Sequence, residues 1–242
     1  ASDVYKRQML ATALRTPYVS TNNVVPASIL DSFDNPFQPV KESLAVHISN
    51  TDMTNKISYF SHTPIPDIFT QNTTMAVTNL PLSKKTDNIR YSQPLYKLVK
   101  GNREYYIPSL GLAALLKYTG SIEEIPIENN ILKIGNHRIQ LNDNGQALIN
   151  WHGHNGTYLD IPINALLLSM VRNENSFSFN GSKYPLSMFK DKIIIIAQTQ
   201  MNTETHNTPV AKEMTDAEIK ATIIDNYIND SNASLSHNCL LY

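Results

Sequence analysis

Apolar and polar residues alternate across Ile131-Leu132-Lys133-Ile134 and again across Arg138-Ile139-Gln140-Leu141. Period two is the pattern of strands that bury one face. Gly135-Asn136 lies between the two runs and suits the tight turn of a hairpin. Asn142-Asp143-Asn144-Gly145 supplies a second turn, so a third strand is expected from Gln146 to Trp151, completing a β-meander. A second strand pair is expected upstream, Leu95–Val99 with Glu104–Ile107 around Gly101-Asn102.

Elsewhere the spacing changes from two to between three and four. Leu110, Ala113, Ala114 and Leu116 predict a largely buried helix, with Pro108 in its first turn and Gly120 as its C-terminal cap. Asn164–Arg172 reads as a short helix with a hydrophobic side. Ile219, Ile223, Ile224, Tyr227 and Ile228 form one apolar stripe. Thr215 and Glu218 stand ahead of that stripe at the spacing of a capping box, and Met214 is placed to staple against Ile219. Ile193-Ile194-Ile195-Ile196-Ala197 shows no alternation, which predicts a central strand covered on both faces. Nearer the start, Met9–Arg15 reads as the tail of a helix stopped at Thr16-Pro17. Tyr18–Ile29 has extended character, and residues 31–41 and Thr63–Asp67 are proline-broken loops. The expected class is α/β: a mixed central sheet with flanking helices and a β-meander.

Composition narrows the function. The net charge is −1, with 41% hydrophobic and 17% charged residues, and no basic stripe interleaved with aromatics, so no nucleic-acid surface is expected. No apolar run reaches the roughly eighteen residues that would span a bilayer. Ser2-Asp3-Val4-Tyr5-Lys6-Arg7-Gln8 resembles a translated transposon adapter of the kind left by sequencing libraries. Cys239-Leu240-Leu241-Tyr242 resembles the same adapter read from the opposite strand. Residues 1–8 and 239–242 are therefore expected to be scars and 9–238 a single truncated domain. Cys239 is the only cysteine. With it set aside, thiolate catalysis, disulfides and cysteine metal sites are excluded from the rest.

Familiar catalytic signatures are missing: no nucleophile elbow, phosphate loop, dinucleotide fingerprint or zinc-protease helix. His152-Gly153-His154 could place two imidazoles on one strand face, but Gly153 and Asn155-Gly156 end the strand. Two solvated loop histidines are the expectation, and no metal or other cofactor is assigned. Glu123-Glu124 reads as a solvated acidic turn. The polar connection Thr199–Pro209 is the better candidate, because it follows the expected central strand where α/β sheets place ligand sites. Within it Thr199, Glu204, His206 and Thr208 form the candidate ligand-binding set, suited to a small polar or charged molecule. No catalytic residue is assigned.

Several segments carry a family resemblance. Asp143–Trp151 resembles the "dGq.lINw.g" signature of the second class of CHASE domains, extracellular sensors associated with cyclases and histidine kinases. Phe189–Ala197 is similar to that family's "f.gKivliG" strand, Thr208-Pro209-Val210 to its "D...TPv" loop, and Glu218–Asn226 to its "GveihAnaidnll" helix. Asp87–Arg90 and Ile107–Ala113 look like its "dG.iR" and "pSla" elements. The pieces fall in family order. Ala197 and Ala217 replace glycines of the pattern, Glu204 stands near its usual aspartate, and the opening strand is missing. The resemblance implies an extracytoplasmic sensor of a cytoplasmic-membrane protein. Its partners would be a small-molecule ligand, the transmembrane and cytoplasmic signalling domains of the parent chain, and a second copy in a homodimer. A free ligand-binding domain is the alternative, and an α/β hydrolase with dispersed catalytic residues a third.

Overall fold

A computed structural model of the chain describes residues 76–81, 88–100, 102–120, 124–197 and 205–232, with short strand segments at 27–28, 30–31, 46–48, 58–59 and 61–62. The helix tail at Met9–Arg15, most of Tyr18–Ile29 and of the 31–41 loop, Thr63–Asp67 and both terminal stretches lie outside the described residues.

Strands and helices mix along the chain as expected, but the strands form several two- and three-stranded sheets. Two early strands are β1 (Ala76–Val77) and β2 (Tyr91–Ser92). The longest ladder joins β3 (Leu95–Lys100) antiparallel to β4 (Arg103–Pro108), in register from Leu95 opposite Pro108 to Lys100 opposite Arg103. Ser58–Tyr59 adds to the other edge of β3 in parallel, so this sheet is mixed. Pro108 ends β4 rather than opening a helix. The cap falls one residue later, where the Ser109 hydroxyl accepts from Leu112 N at 3.2 Å and starts α1 (Leu110–Thr119). Gly120 closes that helix with a positive φ.

The meander is shifted by one strand from the sequence expectation. Its three strands are β5 (Ile127–Glu128), β6 (Ile131–Ile134) and β7 (His137–Gln140). Gly135, at φ 58°, supplies the left-handed position of the β6–β7 turn. The Asn142–Gly145 turn is present too, with the Asn142 side chain accepting from Asn144 N and Gln146 N. The strand after it, β8 (Ala147–Leu148), leaves the meander and pairs antiparallel with β2. Alternation marks a half-buried strand without naming its partner.

Two more helices follow, α2 (Ile163–Val171) and α3 (Asp216–Ile228). Between them lie the hairpin β9 (Ser176–Phe179) with β10 (Ser182–Pro185), and then β11 (Thr205–His206) with β12 (Met214–Thr215). The core joins α1, α3 and the meander: Leu112 and Leu115, Ile219, Ile223 and Tyr227, and Leu132, Ile134 and Ile139, with Ile89, Ile125 and Ala147. Met214 and Ile219 are both buried in it, as a hydrophobic staple requires. Gly111 permits the close approach of α1 to α3, since a Cβ there would stand 2.7 Å from Ile223 Cγ2 and 3.1 Å from the Tyr227 ring. Trp151 packs at the rim of this core.

The run Ile193–Ala197 departs from expectation. It has no strand assignment, and Ile193, Ile194 and Ile196 are exposed. A β-branched run favours extended backbone, but a strand also needs a ladder partner, and no described residue pairs with this one. The polar connection at 199–209 therefore does not follow a central strand among the described residues.

Candidate functional site

Of the four candidate ligand residues, Thr199 and Glu204 lie outside the described residues. His206 and Thr208 are described, and His206 stands close to the start of α3. The β11–β12 pairing places His206 opposite Met214. Its Nε2 lies 4.0 Å from Asp216 Oδ1 at the first turn of the helix. The other carboxylate oxygen of Asp216 accepts from Lys220 Nζ, one turn further along. The Thr208 hydroxyl is committed to its own turn. It donates to Ala211 O at 2.9 Å and accepts from Ala211 N at 3.0 Å, so a ligand would have to displace these bonds.

Lys220 also lines a small cavity between α1 and α3. The other walls come from Val77–Leu80, Ser92 and Gln93, Ser109–Gly111 and Ile223, and they enclose about 20 Å³, partly open to solvent. Gln93 is buried, with its Nε2 donating to Leu95 O and Gly145 O. Its Oε1 has no hydrogen-bond partner among the described residues. Ser92 Oγ shares a 2.7 Å hydrogen bond with Tyr227 OH and reaches Ala147 O at 3.3 Å. Burial holds the Tyr227 phenol far above its ordinary titration range, with Ser92 opposing weakly, so it stays a neutral hydroxyl. The Asp216 pair thus ties the loop that carries His206 to a side chain of the cavity wall.

The chain brings its scattered segments together through backbone bonds. Ile89 N donates to Asn207 O at 2.8 Å, and Ile149 N donates to Arg90 O at 3.0 Å. Asn226, in the buried face of α3, clamps Asn150 from both sides. Its Oδ1 accepts from Asn150 N at 2.8 Å, and its Nδ2 donates to Asn150 O at 3.0 Å. Asn226 is 1% exposed, so both groups need these partners.

The histidines of the His-Gly-His segment lie in a loop and are exposed, as expected, and each also touches a group that the fold brings to it. His152 Nε2 lies 2.8 Å from Asn226 Nδ2 and 3.2 Å from Asp225 Oδ2. His154 Nδ1 meets Val210 O at 2.5 Å. Both reach groups brought to them by the fold, which sequence spacing does not show. Among the described residues no group of three or more His, Cys, Asp or Glu side chains is placed to hold a metal ion. Asn226, Asp216 and Lys220 were not singled out from sequence. The one signal was an amide lying beside the apolar stripe of α3.

The family model described as the CHASE2 domain matches residues 1–240, and the chain belongs to that family. CHASE2 domains are extracellular sensory domains of cyclases and kinases, and their role is sensing rather than catalysis. No curated protein and no solved structure matched the chain. Among the described residues no helix is long and apolar enough to cross a membrane.

Proposed function

We propose that this chain is the extracytoplasmic ligand-sensing portion of a transmembrane signalling receptor, with a nucleotide cyclase or a kinase as the output of the parent chain. The observation that carries this reading is the family match over residues 1–240. The ligand is a small polar molecule met by Thr199, Glu204, His206 and Thr208, with Lys220 as the neighbouring cation. A sensor works by differential affinity for two states of the receptor, not by turnover. The His206–Asp216–Lys220 chain supports this reading, because anything that engages His206 competes for a carboxylate fixed on α3. The reading includes residues 1–8 and 239–242 as adapter scars, and pairing of two copies as the signalling unit.

Sequencing the gene continuously through both ends tests it. The expected reading frame encodes hydrophobic spans of about 20 residues and a cyclase or kinase domain. A frame encoding only a free secreted domain would instead support a ligand-binding protein with no output of its own.

A further inference from the structure

The geometry points to a protonation-operated toggle: His152 engages Asn226 when neutral and Asp225 when charged, two adjacent residues of α3. The amide orientation of Asn226 is fixed by the clamp on Asn150, because its Oδ1 faces an N–H and its Nδ2 faces a carbonyl. One Nδ2 hydrogen is used by Asn150 O. The other points at His152 Nε2, 2.8 Å away. Only an unprotonated ring nitrogen accepts that bond, so neutral His152 carries its proton on Nδ1. Protonation of Nε2 would set two donors against each other. Asp225 Oδ2, 3.2 Å from the same nitrogen, is the acceptor waiting for the charged form. The change leaves a hydrogen of the buried Asn226 amide without its acceptor, which is the kind of loss that drives local rearrangement.

Two further histidine–aspartate pairs lie along the same helix. His206 Nε2 is 4.0 Å from Asp216 at the start of α3, and His137 Nδ1 is 3.4 Å from Asp230 just past its end. Each comes from a different element: β11, the segment after β8, and β7. Imidazole is the ordinary side chain whose charge changes between about pH 5 and pH 8. Protonation of these imidazoles would set each against a carboxylate on α3 or just past its end, and would pass His152 from Asn226 to Asp225. The other titratable groups that interact with Asp225 or stand beside it are Tyr158, on the loop of His152, and Glu218, on α3, whose carboxylate accepts from Gly156 N. The Tyr158 phenol is pushed up by burial and by Asp225 and Glu218, so it stays a neutral hydroxyl at neutral and acid pH. The His152 toggle does not involve the proposed ligand residues.

Long-range imidazole ¹⁵N–¹H correlation spectra of the labelled 242-residue chain, taken as pH falls from about 8 to about 5, test the toggle. The neutral His152 ring should carry its proton on Nδ1. The Asn226 side-chain amide signals should move in step with protonation. At acid pH a solvent-protected Nε2–H signal should appear, and Asp225→Asn should abolish it while leaving the neutral tautomer in place. Asp225 is partly exposed, so this variant should fold. A neutral ring with its proton on Nε2, stationary Asn226 signals, or a protected Nε2–H that survives Asp225→Asn would each overturn the proposal.

Discussion

Of two regions of this molecule, the one more apolar in sequence is the less buried. Leu112, Leu115 and Ile219, on α1 and α3, are fully buried. On α2 only Ser169 is buried, while Val171 is 74% exposed, and Ile196 nearby is 69% exposed. The difference lies in what each face meets. Helices α1 and α3 pack on each other, Gly111 lets them approach, and the meander closes the third side. Helix α2 touches mainly the β9–β10 hairpin, where Phe177 is stacked between Tyr184 and Phe189 at ring separations of 5.5 and 5.7 Å. Apolarity states that a surface would gain from being covered. A facing element in register decides whether it is.

Substitutions sharpen the contrast, beginning with the largest effect. Leu132→Ala in the meander should lose about 2–5 kcal/mol of stability, because it leaves a cavity that the packed surroundings cannot fill. Ile196→Ala should stay within about 0.5 kcal/mol, as exposed positions do. Equal shifts of the two denaturation midpoints would show that the isoleucine run is buried after all. Gly111→Ala should cost about 1–3 kcal/mol by overpacking α1 against Ile223 and Tyr227, and the matching change at Gly156, where an added Cβ meets nothing, separates crowding from the backbone cost of a positive φ. A loss at Gly111 no larger than at Gly156 would count against the close helix crossing.

Smaller effects probe the ends and the polar contacts of α3. Thr215→Ala should cost about 1 kcal/mol, since the Thr215 hydroxyl accepts from Glu218 N at 3.3 Å. Only half of the capping box is present, because Glu218 also serves Gly156 N. Glu218→Gln should therefore disturb the His154–Gly156 loop more than the helix, which amide exchange at Gly156 reports. Tyr227 gives a sign that can be checked at alkaline pH. Its folded titration point is raised by burial, so its contribution is complete below the ordinary tyrosine value of 10.0 and is lost as pH rises beyond it. Tyr227→Phe should flatten the alkaline loss of stability, and an unchanged slope would place that loss elsewhere.

Much of the fold was legible because local chemistry and tertiary structure agree. Gly135-Asn136 makes the turn between β6 and β7, Ser109 and Thr215 cap their helices, and the stripe Ile219, Ile223, Tyr227 faces the core. What the sequence could not supply was pairing over distance. Alternation through Ala147–Leu148 announced a strand, but its partner is Tyr91–Ser92, some 55 positions earlier, not the neighbouring hairpin. The isoleucine run promised a buried strand for the same reason and has no described partner. The candidate site was legible in part. His206 stands by α3 and the Asp216–Lys220 pair spans one helical turn, whereas the Asn226 clamp depends on contacts 76 positions apart.

The most direct test of the sensing account is output from the parent receptor carrying this chain, with cyclase or kinase activity read against a panel of amino acids, small carboxylates and sugars. The account predicts that at least one compound changes output, that Glu204→Ala with His206→Ala abolishes that change, and that the thermal midpoint of the double variant stays unaltered. An identical response from the double variant would contradict the site, and steady turnover of any panel compound by the isolated chain would contradict the sensing role itself.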